Sequence, residues 1–444
     1  MKNYFTFGKY NKLYKYIWFY IITKLIYSYL FTSYFPDNVK INFLKLSSFP
    51  SNIIIQQTFE YFGVFILSLF LFKCIWRNKR NINKLTLLNY SRTSFSSSSS
   101  STEMPLIYNN YRINKPIQLK PFLIIIILLV LADQLRHNFY NIDLDGLDYW
   151  MFEIFFISYI NSMIFNIDIY LHQKVAIYFI IIFCSVSVFI SDIYLLNDNN
   201  EKRIFKKYIW IIPIVIIGFL LISFLRVYVL CQIKWFLDFK YISPIKFLIW
   251  YGLVGFAFCS FLGIISSSFK CPNIDYHENV IYFCKVNETS SDGSKTFYYD
   301  NFSIFFKDLW RENRDLIDNI IYLILFIVRI FLSFLIKLFS LLIIQKLDPV
   351  FYISCNSLFY FITETVDNIS NYLIEREFDE YNFFENLAEL FSVLGNILYL
   401  ELVELNFCEL NFNLKKNILN RSKEDSSIEL NNNDSETQSC SSDL

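Results

Sequence analysis

Two basic residues set the chemical question. Arg329 and Lys337 lie eight positions apart in one long apolar run, residues 316–344, and at 3.6 residues per turn they share a helix face. A guanidinium makes forked bonds to phosphate. A polar space lined by this face would therefore suit an anionic solute such as a phosphorylated sugar or a nucleotide. The other reading is an internal ion pair, with Glu153, Asp133 or Glu364 as the acid. Ionisable groups within a membrane are costly to place, so each is a candidate for function. Asp133 and Arg136 stand three apart on one helix face and either bind solute or pair with each other. Glu153 sits in the next run, with Asn161 two turns beyond it on a similar face. Glu153 is read equally as a binding group and as the partner of a distant base. Arg226 is expected to snorkel toward lipid headgroups. His172 and Gln173 read as helix-end residues, Glu401 and Glu404 as interfacial ones.

Enzyme chemistry has little to stand on. The nine Cys are scattered without metal-ligand spacing, and His137, His172 and His277 are far apart. There is no Walker loop, no G-x-G-x-x-G and no G-x-S-x-G. The expectation is no catalytic residue, no metal, no cofactor and no ATP hydrolysis. Net charge is zero, which leaves no electrostatic footprint for nucleic acid.

What must position the candidate residues is a set of membrane helices. Hydrophobic residues make up 55% of the chain and charged residues 18%, and the apolar residues come in runs close to the roughly 20 that cross a bilayer core. Eight runs are clear and two are weaker. The fold class is all-α integral membrane, with about ten transmembrane helices. Residues 1–76 hold the first two, at 14–35 and 61–76. Residues 77–120 form a basic cytosolic segment whose Ser tract at 94–102 reads as partly disordered. Residues 121–230 hold helices three to six, at 121–140, 149–165, 175–196 and 208–230. A basic link from Cys231 ends at Pro244, which fixes its own φ and moves Ser243 out of the helical region, so helix seven begins at 245 and ends at 265. Gly252 and Gly255 leave that helix smooth enough for close packing. A lumenal or extracellular loop covers 266–315, and its end, F-S-I-F-F-K-D-L-W-R, is expected to lie as a helix on the membrane surface. Helices eight to ten follow at 316–344, 349–366 and 383–405, then a disordered cytosolic tail, 406–444.

Counting positive residues places both termini in the cytosol. Lys202, Arg203, Lys206 and Lys207 oppose that assignment. The sequons at Asn287 and Asn301 then fall outside, as candidate glycosylation sites, with Cys271 and Cys284 as a candidate disulfide that needs an oxidising compartment; two free thiols are the alternative. An endomembrane or the plasma membrane would both fit.

Three stretches bear a resemblance. D-Y-W-M-F-E-I-F-F-I-S-Y-I-N-S-M-I-F-N-I-D-I-Y-L-H-Q-K-V-A-I (148–177), Y-I-S-P (241–244) with Y-G-L-V-G (251–255), and D-P-V-F-Y-I (348–353) with F-S-V-L-G-N-I-L-Y (391–399) resemble the drug/metabolite transporter superfamily, most of all its nucleotide-sugar-carrier branch. The acid often found before that family's middle link is absent here; Gln232 and Lys234 stand there. The resemblance implies two inverted five-helix repeats around a site near the bilayer midplane, working by alternating access on a small polar, anionic solute. The partners it implies are that solute and the lipid bilayer, with a homodimer left open. A transport-inactive receptor or scaffold with the same fold is the alternative.

Overall fold

The computed structural model describes residues 11–31, 53–93, 119–140, 153–163, 169–197, 212–239, 242–269, 286–289, 295–298, 300–310, 316–375 and 380–402. Among them are eleven helices and one pair of short strands. The helices are α1 (Asn11–Phe31), α2 (Ile53–Thr93), α3 (Leu119–Tyr140), α4 (Glu153–Met163), α5 (Leu171–Asn197), α6 (Ile212–Phe239), α7 (Pro244–Ser268), the short α8 (Phe302–Leu309), α9 (Leu316–Lys346), α10 (Pro349–Glu375) and α11 (Glu380–Tyr399). Four stretches among the described residues are long and apolar enough to cross a membrane: Ile54–Ile75, Ile217–Leu237, Pro244–Ser268 and Asn319–Lys346.

The distribution of polarity suits a lipid surround. Phe70, Tyr178, Leu221, Phe261 and Ile317 point outward and are exposed, whereas Gln57, Gln134, Glu153, Arg226 and Asn396 are buried. A water-soluble bundle of this size would not present so much large apolar surface.

Several helices outrun the apolar runs that announce them. α2 begins at Ile53, not 61, and continues through Thr93 into the basic segment. Residues 77–93 contain neither Gly nor Pro, and Lys, Arg and Leu are good helix formers; extending an existing helix needs no new nucleus. For the same reason α6 runs through most of the basic link to Phe239, and α10 continues past 366 to Glu375. The break between α6 and α7 is confined to the residues just before Pro244. Ser243 is extended there (φ −66°, ψ 136°) and Pro244 occupies the first turn of α7, as its missing N–H favours.

The long loop is not all coil. Val286–Thr289 (β1) and Lys295–Tyr298 (β2) pair antiparallel, with Val286 opposite Tyr298. The described residues are otherwise helical, as the fold class expected, and this hairpin is a small addition to it. Its sequence cause is visible afterwards, since Val, Thr, Phe and Tyr flank the turn-prone Ser290-Ser-Asp-Gly293. The helix expected at the end of the loop is present as α8. Asn301 caps it, its side-chain oxygen accepting from the N–H groups of Ser303 (2.9 Å) and Ile304 (3.3 Å). Ile304 and Phe305 are buried. Phe59 of α2 stacks on Phe305 (centroids 5.6 Å apart), and Phe326 of α9 meets Phe305 edge-on, so α8 rests on the ends of α2 and α9.

The most extensive helix contacts are α2 on α7 and α5 on α11. Glycine makes both possible. A Cβ at Gly252 would lie 2.6 Å from the Phe65 backbone N, and one at Gly395 would lie 2.1 Å from the Ile180 side chain. Next come α1 on α9, α10 on α11, α3 on α6, and α2 on α9, then α3 on α7 and α4 on α6. At one end of the bundle, Lys234 of α6 donates to the Gln345 (3.0 Å) and Leu347 (3.1 Å) carbonyls. These are among the last acceptors of α9, which have no partner within their own helix.

At the other end, Asp300 is fully buried. Its Oδ2 accepts from the N–H of Ile54 (2.7 Å) and Ile55 (3.4 Å) at the start of α2. Burial pushes this carboxyl up to about 7, against the backbone N–H groups of Ile54, Ile55 and Asn301 that hold it down. A folded-state value above the ordinary 3.8 means that folding takes up a proton here. The contribution is complete below the unfolded value and is lost as pH rises through about 7. Hydrogen exchange at Ile54 and Ile55, corrected for intrinsic rate, is therefore expected to slow as pH falls from above neutral to mildly acidic. Asp300→Asn should make the protection independent of pH; a pH dependence that persists in this variant would assign it to another group.

Candidate functional site

Three ion pairs join charges on different helices near the middle of the bundle. In the first, Glu60 of α2 accepts from Arg329 Nε (2.8 Å), Ser333 Oγ (2.9 Å) and the Tyr27 hydroxyl (2.9 Å). The guanidinium of Arg329 also lies 5.6 Å from the Tyr27 ring and 5.8 Å from that of Phe31. In the second, Asp133 Oδ2 of α3 accepts from Lys337 Nζ (2.9 Å) and from the Tyr251 hydroxyl of α7 (2.5 Å). In the third, Arg226 Nη1 of α6 donates to Glu153 Oε1 of α4. A separate polar contact joins α1 to α10, where Lys24 Nζ (2.8 Å) and the Tyr20 hydroxyl (2.7 Å) both donate to Asn356 Oδ1. Lys24 sits 4.0 Å above the Phe359 ring.

Helix geometry explains the alignment on α9. Arg329, Ser333 and Lys337 recur every four residues and form one stripe. That stripe faces α2 at Arg329 and Ser333 and α3 at Lys337. The shared face expected from the sequence is present, but its two cations serve different acids.

A cavity of about 40 Å³ lies where α3, α6, α7, α9 and α10 converge, room for about three waters. Its polar lining is Asp133, Arg226, Tyr251, Lys337, Ser340 and Tyr352, and apolar side chains of α3, α6, α7 and α9 complete it. It sits toward the end of the bundle where α6 and α9 finish and α7 and α10 begin. Two of the three bridges touch it. Within them, exposure separates the roles. The Lys337 side chain is 36% exposed and Asp133 17%, against 6% for Arg226 and 3% for Glu153. Lys337 and Asp133 are thus the more accessible of the two pairs.

Of the candidates read from the sequence, Lys337 and Asp133 meet at this cavity. Arg329 does not line it; its acid is Glu60, which is not among the partners weighed from the sequence. Glu153 lies behind Arg226 rather than at the cavity wall. Asn161 is half-buried on α4 and is not part of the lining. The side chain of Arg136 lies outside the described residues, and the partners that hold Asp133 are Lys337 and Tyr251. Arg226 departs from expectation: it is buried and paired, not snorkelled. Its acid comes from a helix 73 residues away in sequence, which no local spacing reports. Cys271 and Cys284 lie outside the described residues. Asn287 falls within β1 and Asn301 at the cap of α8. His172 Nε2 is 3.0 Å from Glu401 Oε1, so two residues read separately as helix-end groups come together.

Sequence reasoning missed Glu60 as a site residue, because the start of α2, I-I-I-Q-Q-T-F-E, mixes Gln and Thr into its apolar positions and hides how far inside the helix Glu60 lies. It missed Tyr251 and Tyr352 because aromatic residues are so common here, with 32 Tyr and 50 Phe, that single ones carry no signal.

Fold and site together define a helical membrane protein with buried ion pairs around a small polar cavity. No protein-family model matches this chain, and no curated protein sequence matches it either.

Proposed function

We propose that the chain is a multi-pass transporter of the drug/metabolite type, moving a small polar, anionic solute by alternating access. The observation that carries this reading is the polar cavity within the bundle, with a half-exposed cation, Lys337, that donates to a carboxylate and lies 5.3 Å from the Tyr251 ring. Charge placed inside a membrane protein in this way is costly unless it is used. An anion with the right shape takes the place of Asp133 on the Lys337 ammonium, while Arg226 adds a second positive charge at the wall.

Part of the helix contact pattern supports two inverted five-helix repeats, although the α10–α11 contact has no counterpart of like extent between α4 and α5. Leaving out the short α8, pair each of the first five long helices with the one five places later: α1 with α6, α2 with α7, α3 with α9, α4 with α10 and α5 with α11. Under this exchange the two largest contacts, α2–α7 and α5–α11, map onto themselves. The α1–α9 contact maps onto α6–α3, α2–α9 onto α7–α3, and α4–α6 onto α10–α1. The last two also correspond chemically, since one carries Arg226–Glu153 and the other Lys24–Asn356. Repeats of this kind place substrate at the seam between halves, and the cavity draws on helices of both.

A transport-inactive receptor or scaffold is the second reading, favoured by the cavity's size, which suits water rather than a sugar. In the transporter reading that size belongs to an occluded state. Flux separates the two. Purified protein in liposomes is given inorganic phosphate, sulfate, a hexose phosphate and a nucleoside diphosphate sugar. Saturable uptake of at least one is expected, reduced at least about tenfold by Lys337→Gln, a loss of about 1.4 kcal/mol of binding. Absence of saturable uptake for all four supports the scaffold.

A further inference from the structure

We infer that Asp133 is a proton site and that the protein couples entry of its anionic solute to uptake of a proton at that carboxylate. This rests on the transporter reading above. It adds to it the driving ion, the residue that holds it and the sense of coupling, which is symport.

The inference comes from counting charge around the cavity. The lining supplies Lys337, Arg226 and Asp133, and Glu153 stands behind Arg226. Two positive and two negative groups make the site neutral. An anion added to this set leaves an unmatched negative charge in a region where charge is poorly screened. One proton restores the balance for a singly charged anion and halves the excess for a doubly charged one. It has to reach a carboxylate that is open to the cavity and whose protonation frees a cation. Asp133 meets both conditions; Glu153 fails the first, being more deeply buried and absent from the cavity wall.

The hydrogen bonds allow the exchange without rebuilding the site. Asp133 Oδ2 now accepts from Lys337 Nζ and from the Tyr251 hydroxyl. A proton placed on the carboxyl removes the ionic hold on Lys337, and the ammonium turns to the anion. The Tyr251 hydroxyl goes on donating to the carboxyl and keeps it in place. Tyr251 is itself fixed, 3.4 Å from the Tyr61 hydroxyl and packed edge-on against that ring. The groups that act on Asp133 come from the helices near it: Lys337 from α9, Arg226 from α6, Tyr251 and the Cys259 thiol from α7, Tyr352 from α10 and Tyr61 from α2. Glu60 of α2 acts on Lys337 from the other side. None of these supplies a second carboxylate on the cavity wall, so the proton and the anion take opposite ends of one bridge and each favours the binding of the other. No bond other than the O–H on Asp133 is made, and that proton leaves with the solute when Lys337 takes the carboxylate back.

The test uses the full-length protein in liposomes with sulfate and a nucleoside diphosphate sugar, anions that titrate far below neutral pH, so any proton that moves is carried by the protein. With the membrane potential clamped to zero, because both solutes carry two negative charges, an acid-outside gradient is expected to concentrate the solute by about tenfold per pH unit for the one proton carried with it. A trapped pH dye should acidify on solute addition, and a protonophore should abolish the accumulation. Asp133→Asn is expected to lose both accumulation and acidification, and whatever downhill flux it retains should be indifferent to the pH gradient. Asp133→Glu should restore them, which separates loss of a proton site from loss of fold. Wild-type flux indifferent to the pH gradient, or coupled accumulation that survives in Asp133→Asn, overturns the coupling and leaves the transporter standing. Absence of flux for every solute overturns the transporter reading, and the coupling with it.

Discussion

Arg226→Met is expected to destabilise the protein by about 3–5 kcal/mol, the cost of stranding a buried carboxylate. Glu153 is left with a side chain only 3% exposed and without its guanidinium. Water reaches it poorly, and Met fills the volume of Arg without offering a hydrogen bond. The double substitution Arg226→Met with Glu153→Leu is expected to recover most of the loss, because a buried ion pair contributes little net stability over a well-packed apolar pair of similar size. Thermal unfolding in detergent, followed with a thiol-reactive fluorogenic dye, measures both. Cys184, Cys231, Cys259 and Cys355 are buried free thiols spread over α5, α6, α7 and α10, so dye reaction reports opening across the bundle. A double variant as unstable as the single one would show that Arg226 does more than balance Glu153. The nearby Tyr352 ring, 5.9 Å from the guanidinium, is then the contact to examine.

The second large effect is steric. A Cβ at Gly252 would stand 2.6 Å from the Phe65 N and 2.8 Å from its Cα. Both are backbone atoms of α2, so no rotamer change relieves the overlap; α2 and α7 must separate along their whole contact. Gly252→Ala is expected to cost roughly 1–3 kcal/mol, even though Ala is the better helix former by about 1 kcal/mol. Gly252→Leu should cost more and lower the yield of folded protein. Gly263 is the internal control. The nearest atoms to its added Cβ belong to the Phe302 ring, at 2.9 Å, and a ring at the start of a short helix can shift. Gly263→Ala is expected to be the milder change in the same dye assay. Equal effects would mean that the α2–α7 contact is looser than the glycine geometry requires.

Much of the helical scaffold was legible in the sequence, and the reason is length. The run beginning at Leu316 is apolar for eight turns, and α9 follows it to Lys346. Pro244 marks the start of α7, where a rigid φ and a missing donor leave little choice. The Arg329–Lys337 face was legible because 3.6-residue periodicity is a local property. What was not legible joins distant parts of the chain. Arg329 meets Glu60 across 269 positions, a pairing that leaves no trace in spacing, and Lys337 meets Asp133 across 204, one of three acids the sequence offered without choosing among them. Helix ends also resisted reading. Hydropathy stops at the membrane surface, whereas α2, α6 and α10 are continued by residues that favour helix without being apolar. The hairpin in the long loop was hidden for the opposite reason: four-residue strands are too short to show alternation.

The contact between Lys234 and the last carbonyls of α9 has a mechanical meaning. An ammonium at a helix C-terminus neutralises the negative end of its dipole, and here it arrives from α6, so it also ties the two helices together at one point. Any tilt of α9 away from α6 turns about that point as a pivot, small at Leu347 and growing toward Leu316. The stripe of Arg329, Ser333 and Lys337 lies along the lever. Lys337, nearest the pivot, moves least, and Arg329 sweeps the wider arc past Glu60.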